Sequence, residues 1–230
     1  KAADDAWLFK QAVRGVARRH AMAATFMAKP YPTQPGNGLH THFSVLDEAG
    51  RNIFDDGTDT GSQRLGHAVA GLLAAMPAST LIFAPHFNSY ARRTPNSHAP
   101  TNACWGYENR TAAIRIPGGT GKARRIEHRV AGGDCNPYLM LAVVLGAALS
   151  GLEDAAPPAP AISGNAAKSG APALPSDWAE AMDRFASDPL IPRIFAPELI
   201  ENLILCKRQE QAGFADPDEG FAFATYGETV

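Results

Sequence analysis

From residue 39 to residue 46 the side chains alternate, with Leu39, Thr41, Phe43 and Val45 on one side of an extended chain and His40, His42 and Ser44 on the other. The run 124–130 does the same: Arg125, Glu127 and Arg129 share a face, and Ile126, His128 and Val130 share the opposite one. Successive side chains of a strand point to opposite faces, so both segments are predicted to be half-buried strands, apolar on one side and charged on the other. That pattern rules out an all-helical fold and demands a layer that covers the apolar face. Helical stripes that can supply it are present. Leu8, Ala12 and Val16, with Phe9 and Val13 beside them, predict an amphipathic helix over 4–20, whose acidic start (Asp4, Asp5) and basic end (Arg18, Arg19, His20) match the helix dipole. Leu65, Val69, Leu72, Leu73 and Met76 form a second stripe. Asn136 as cap and Pro137 in the first turn open a buried helix that runs to Leu152. Two more helices are predicted over 176–186 and 197–212. Residues 21–28 and 112–116 read as further strands, 30–38 as a Pro- and Gly-rich crossing, and 85–100 as an exposed, aperiodic functional loop, a candidate lid. The Ala, Pro, Gly and Ser of 154–175 read as a flexible surface insertion without a catalytic role. The fold class is α+β.

Composition narrows the function. At 230 residues, 45% of them apolar, the chain can bury one sizeable core. Its net charge of −2 removes the general electrostatic case for nucleic acid or an anionic membrane surface. No run approaches the roughly 18 apolar residues of a membrane helix, and no start resembles a secretion signal, so a cytoplasmic protein without a membrane partner is expected. Cys104, Cys135 and Cys206 are odd in number and widely spaced, as buried free thiols would be. Lys1 stands directly before what reads as a helix start inside a domain, and a piece of a longer protein is expected.

The polar groups collected on strand faces and in loops are His40, His42, Ser44, Arg92, Arg110, Arg115, Arg125, Glu127 and Arg129. A buried arginine must be paired, and acids in these strands are too few for all of them. The inventory suits a site for phosphate and carboxylate groups, where arginine donates bidentately and His40 with Glu127 could hold a divalent cation. Phosphoryl transfer asks for these parts, since its catalysis is mainly positioning and charge neutralisation. Singly, each part has a plainer reading. His-x-His on a strand is a structural pair or a zinc site, Arg-x-Glu-x-Arg a solvated ion-pair ladder, and the stretch 88–92 an ordinary turn.

In order along the chain, Gly36-Asn37-Gly38-Leu39-His40-Thr41-His42-Phe43-Ser44 resembles the ATP-site strand of glutamine synthetases, GxGxHxHxS. Asn88-Ser89-Tyr90-Ala91-Arg92 resembles that family's NSYxR glutamate loop, Asn109-Arg110 through Arg115-Ile116-Pro117 its NRxxxxRIP, and Lys122 through Arg129 its KARRIExR. Asn136-Pro137-Tyr138-Leu139 is similar to its NPYL helix start. The resemblance implies the catalytic domain of that family, an antiparallel sheet curved around a nucleotide and backed by helices, with residues 1–230 as its C-terminal part. It implies His40 and Glu127 as ligands of Mg2+ or Mn2+, and Gly36, Arg92 and Arg129 around glutamate. It further implies Arg110 and Arg115 as phosphate-stabilising arginines, and His42, Ser44, Lys122 and Arg125 as further ATP contacts. The implied reaction phosphorylates the glutamate side chain and lets an amine attack the acyl phosphate.

Two departures refine this. Where ammonia-using members carry a flap glutamate before Ala-Pro, this chain has His98, which could act as a base or leave room for a larger amine. Arg129-Val130-Ala131-Gly132-Gly133 also looks more like the γ-glutamylpolyamine synthetase branch, and an organic amine is expected. The family's E-x-E strand, a later acidic pair and its small N-terminal β-grasp domain are not found here. A complete protein is expected to be a large ring-shaped homo-oligomer, and the 230 residues alone to neither bind metal tightly nor turn over. The rival readings are an ammonia-using glutamine synthetase, a catalytically silent nucleotide-binding paralogue, and an unrelated zinc hydrolase built on His40 and His42.

Overall fold

The computed structural model describes residues 1–94, 97, 99–214 and 219–230. Its helices and strands follow in the order α1 (Ala2–Arg19), β1 (Thr41–Phe43), α2 (Gln63–Phe83), β2 (Trp105–Tyr107), β3 (Ile114–Ile116), β4 (Ile126–His128), α3 (Pro137–Asp154), α4 (Trp178–Ser187), α5 (Pro197–Gly213) and α6 (Glu219–Tyr226). The strands form one sheet in the order β1-β4-β3-β2. β4 runs antiparallel to β1 and β3, but β2 lies parallel to β3. The sheet is therefore mixed and not antiparallel throughout, and β2 is a strand that the side-chain pattern did not predict. Parallel pairing across the short connection 108–113 is feasible because each strand has only three residues, on the order of 10 Å for the chain to retrace.

The alternation in the first strand region is real: residues 39, 41, 43 and 45 are half-buried while 40, 42 and 44 are exposed. Ile114, Ile116, Ile126 and Val130 from the covered face join the core that α2, α3 and α4 fill. The Ser62 hydroxyl caps α2 by accepting from the Leu65 N–H at 3.3 Å, and the Asn136 side chain caps α3 by accepting from Tyr138 and Leu139 at 2.9 and 3.3 Å. The two helices meet at glycines. A Cβ on Gly71 would collide with the Ala147 carbonyl and the Gly151 backbone, and one on Gly151 with the His67 carbonyl. Gly71→Ala is therefore expected to destabilise the chain by about 2–3 kcal/mol, seen as a lower urea midpoint at unchanged m-value. An unchanged midpoint would mean that the helices separate without cost.

Several elements differ from the sequence reading. Helix α1 forms, yet Leu8, Phe9 and Val16 of its stripe are 55, 62 and 56% exposed, and the side it buries carries Arg14 and Ala17. Residues 21–28 carry no strand. Their anchors are irregular, the Phe26 N–H donating to Val230 and the Ala28 carbonyl accepting from Asn37, because no ladder partner lies beside them among the described residues. Helix α6 was not predicted. Cys206 is exposed, unlike Cys104 and Cys135. Helices α2 and α3 are long and apolar enough, by length and composition, to cross a membrane, contrary to the expectation of no such run. Much of α2 is buried inside the molecule, as the core helix of a water-exposed fold also is. Residues 155–175 are largely irregular and run along the outer edge of β2. Ile162 donates its N–H to Trp105, the Trp105 indole donates to Ala159, and Asn109 donates to Ile162 and Gly164. The segment covers an edge that would otherwise stand open.

Candidate anion and metal site

Strand register assembles the centre of the site. His42 on β1 pairs with Glu127 on β4, which pairs with Arg115 on β3, so three chemically different side chains form one row across the polar face. Gly106 ends the row opposite Arg115 and adds no side chain. Glu127 is the hub. One carboxylate oxygen accepts from Arg129 Nη1 at 2.6 Å and lies 3.3 Å from His40 Nδ1 and 3.6 Å from His42 Nε2, while the other accepts from Arg115 Nη1 at 2.9 Å. Its side chain is only 4% exposed. Burial opposes its charge, but the Arg115 hydrogen bond and the Arg129 charge prevail and hold the carboxyl below the usual range. Burial, helped by Arg129 at His40 and by Arg125 at His42, holds both imidazoles below the ordinary histidine value, so they are neutral near pH 7.

Arg92 reaches the same face from the 3-10 turn Phe87–Arg92. The turn is closed by the His86 N–H donating to the Ser89 hydroxyl at 3.0 Å, and Ser89 in turn donates to the Asp134 carboxylate. Ser89 and Arg92 are buried, so this part of the expected exposed loop is anchored. Arg92 Nη1 donates to the Val130 carbonyl at 2.8 Å, next to Arg129 in the chain. Its close neighbours explain the glycines: a Cβ at Gly38 would lie 2.7 Å from Arg92 Nη2, and one at Gly36 would lie 2.8 Å from the Ala28 carbonyl and 2.9 Å from Arg92 Cγ.

The remaining sequence candidates lie further out. Ser44 donates to the Arg124 carbonyl at 2.8 Å, and Arg125 donates to His42 Nδ1 at 3.1 Å and to the Ala123 carbonyl at 2.9 Å. Lys122 is exposed on the turn Gly121–Ala123. Arg110 is exposed on the β2–β3 connection and makes no ion pair among the described residues, so the structure does not bring it onto the hub. His98 lies outside the described residues. Sequence reasoning missed Asp134, whose only signal was a lone acid before the Asn136 cap, and Glu108, an acid two residues before Arg110.

Around this face, among the described residues, four arginines (Arg92, Arg115, Arg125 and Arg129) stand against three carboxylates (Glu108, Glu127 and Asp134, the last acting on Arg92), and Arg115 and Arg129 each keep an unpartnered buried Nε. That surplus suits an anion. For a cation the fit is partial. Mg2+ or Mn2+ takes about six mostly oxygen ligands, and Glu127 with His40 supplies one carboxylate and one imidazole. No cluster of three ligating side chains occurs among the described residues. These residues form one side of a coordination shell and not the whole of it.

An open mixed sheet, helix-backed, with arginines and imidazoles grouped about one buried carboxylate, defines an α+β protein equipped to handle phosphate and carboxylate groups. The description "Glutamine synthetase, catalytic domain" matches residues 1–226. The chain is 37% identical over 214 residues to the gamma-glutamylputrescine synthetase of Escherichia coli K12, covering 93% of this chain and 45% of that protein. It is also 37% identical over 224 residues to the glutamine synthetase of Pyrococcus abyssi, covering 94% of this chain and 50% of that one. A solved structure of GmaS in complex with ADP superposes with a TM-score of 0.85 at 31% identity, covering 97% of this chain and 53% of that one. The chain belongs to the glutamine synthetase family, and it spans about half the length of the curated relatives it matches.

Proposed function

We propose that this chain is the C-terminal catalytic part of an ATP-dependent ligase that joins an organic amine to the γ-carboxylate of glutamate through a γ-glutamyl phosphate. The observation that carries the reading is the single row His42, Glu127 and Arg115, flanked by Arg129 and Arg92. A carboxylate cannot expel oxygen at neutral pH, so it must first be phosphorylated, and the arginines of this face are placed to neutralise the charge of that step. In this reading Arg92 and Arg129 hold the glutamate carboxylates, and Arg115 and Arg110 meet phosphate oxygens. His42, Ser44, Lys122 and Arg125 contact the nucleotide. Mg2+ or Mn2+, held in part by Glu127 and His40, would supply electrophilic neutralisation of the transferring phosphoryl group. The complete protein would act in the cytoplasm as a ring-shaped oligomer.

The second reading, a glutamine synthetase using ammonia, has the same identity behind it, 37% to relatives of both kinds. His98 in place of the flap glutamate and the Val130 to Gly133 sequence support the organic amine. The test is ATP- and glutamate-dependent phosphate release by the complete polypeptide with ammonia, putrescine, ethanolamine and methylamine. A preference for ammonia would overturn the organic amine, and no release with any of them would favour a silent nucleotide-binding paralogue. A narrower test targets Gly38. Because a Cβ there presses on Arg92, Gly38→Ala is expected to raise the KM for glutamate about tenfold while leaving that for ATP within twofold. Equal changes in both constants would remove Arg92 from the glutamate side.

A further inference from the structure

Glu108 follows β2 and belongs to none of the motifs that suggested the site. Its backbone has φ +50°, a left-handed conformation that residues with side chains adopt rarely, and its N–H donates to the Ile116 carbonyl at 3.0 Å. From this position one carboxylate oxygen accepts from Arg115 Nη2 at 3.0 Å and the other from the Gly118 N–H. Gly118 begins the stretch that leads to Lys122 and Arg125, so one side chain ties Arg115 to that loop. The Arg115 and Gly118 hydrogen bonds, with a smaller contribution from the charges of Arg115 and Arg110, hold its carboxyl below the usual range. Glu108 thus lies within electrostatic reach of both arginines assigned to phosphate.

Arg115 is held at both ends of its fork, Nη1 on Glu127 at 2.9 Å and Nη2 on Glu108 at 3.0 Å. The two partners are unlike. Glu127 is buried at the hub and is the carboxylate a divalent cation would engage, whereas Glu108 is 59% exposed and stands to the side. A cation that draws on Glu127 takes away one partner of Arg115 and leaves the other. We propose that Glu108 is a positioning residue: it holds Arg115 and the Gly118 loop in place when Glu127 is engaged by metal, so that Nη1 is presented to a nucleotide phosphate oxygen. The proposal rests on the ligase reading above.

Electrostatics alone predicts the opposite sign for its removal. Deleting a carboxylate beside two arginines makes the place more positive and would tighten ATP binding. The test measures binding of a fluorescent ATP analogue in the presence of Mg2+ to the complete polypeptide, with ATP and AMP as competitors, for wild type, Glu108→Ala and Glu108→Gln. Glu108→Ala is expected to weaken ATP about tenfold and AMP less than twofold, the loss of one charge-assisted contact. Glu108→Gln, with one acceptor oxygen left for two donors, falls between. Unchanged or tighter ATP binding by a folded Glu108→Ala protein would overturn the proposal, as would equal losses for ATP and AMP, the mark of a merely structural role. Should the alanine variant not fold, a glutamine variant with wild-type ATP affinity would overturn it equally. Wild type that binds no ATP would instead bring down the ligase reading, and this proposal with it.

Discussion

Glu127→Ala is expected to destabilise the chain by about 3 kcal/mol and, in the complete polypeptide, to reduce glutamate-dependent phosphate release about a thousandfold or more. On a solvated strand face this change would leave the fold nearly intact, but Glu127 and its partners are buried. Arg115 and Arg129 have side chains only 12 and 8% exposed, and both donate to Glu127. Removing the carboxylate leaves two guanidiniums with poor access to water and less charge to balance them, which costs far more than the pair contributes on its own. Glu127→Gln separates the two effects, because the amide keeps the volume and one acceptor while losing the charge. It is expected to recover most of the stability, measured by urea denaturation, and little of the turnover. If Glu127→Ala keeps wild-type turnover, the residue is not a metal ligand. If it unfolds no more easily than wild type, the buried hub is not a structural centre.

Acid is expected to weaken the fold well before the carboxylates titrate. His128 faces the core from β4, against the Phe83 ring at 4.4 Å, and burial, with a small contribution from His40, pushes its pKa from 6.5 down to about 3. The unfolded chain accepts the proton near pH 6.5 and the folded chain does not until near pH 3. The contribution is therefore complete above pH 6.5 and is lost as pH falls through the window between these values. At pH 4.5 the loss from His128 alone is about 3 kcal/mol, from roughly 1.4 kcal/mol per pKa unit. His40 and His42, also held below their ordinary value, add to it in the same direction. Glu210 enters later. Burial opposes its charge, but hydrogen bonds from His86, Lys207 and Tyr226 bring its pKa to about 2, so its contribution is lost below pH 4.5. His128→Leu is expected to flatten most of the slope between pH 6.5 and 4.5 while leaving stability at pH 7 nearly unchanged. The readout is the urea midpoint at each pH. A wild-type midpoint independent of pH in that window would mean that His128 reaches water or a partner in the folded state.

Local periodicity determined a good part of this protein. The alternation of His40, His42 and Ser44 with apolar neighbours, and of Arg125, Glu127 and Arg129 with theirs, is a property of the strand itself, so the charged face and the apolar face were legible residue by residue. Helices α2 and α3 were legible for the same reason, from their apolar spacing and from the Asn136-Pro137 start. What only the tertiary structure decided is pairing. That Glu127 stands between His42 and Arg115, that β2 runs parallel to β3, and that Arg92 reaches Val130 from a separate turn all depend on register between segments distant in sequence. The failures have the same origin. The stripe of α1 predicts a helix but not which side will find a partner, residues 21–28 have strand composition but no neighbouring strand among the described residues, and Glu108 becomes visible only when its left-handed turn brings it to Arg115. A side chain's direction is written in its own backbone, whereas its partner is supplied by another part of the chain, and that difference separates what the sequence determined from what the fold had to decide.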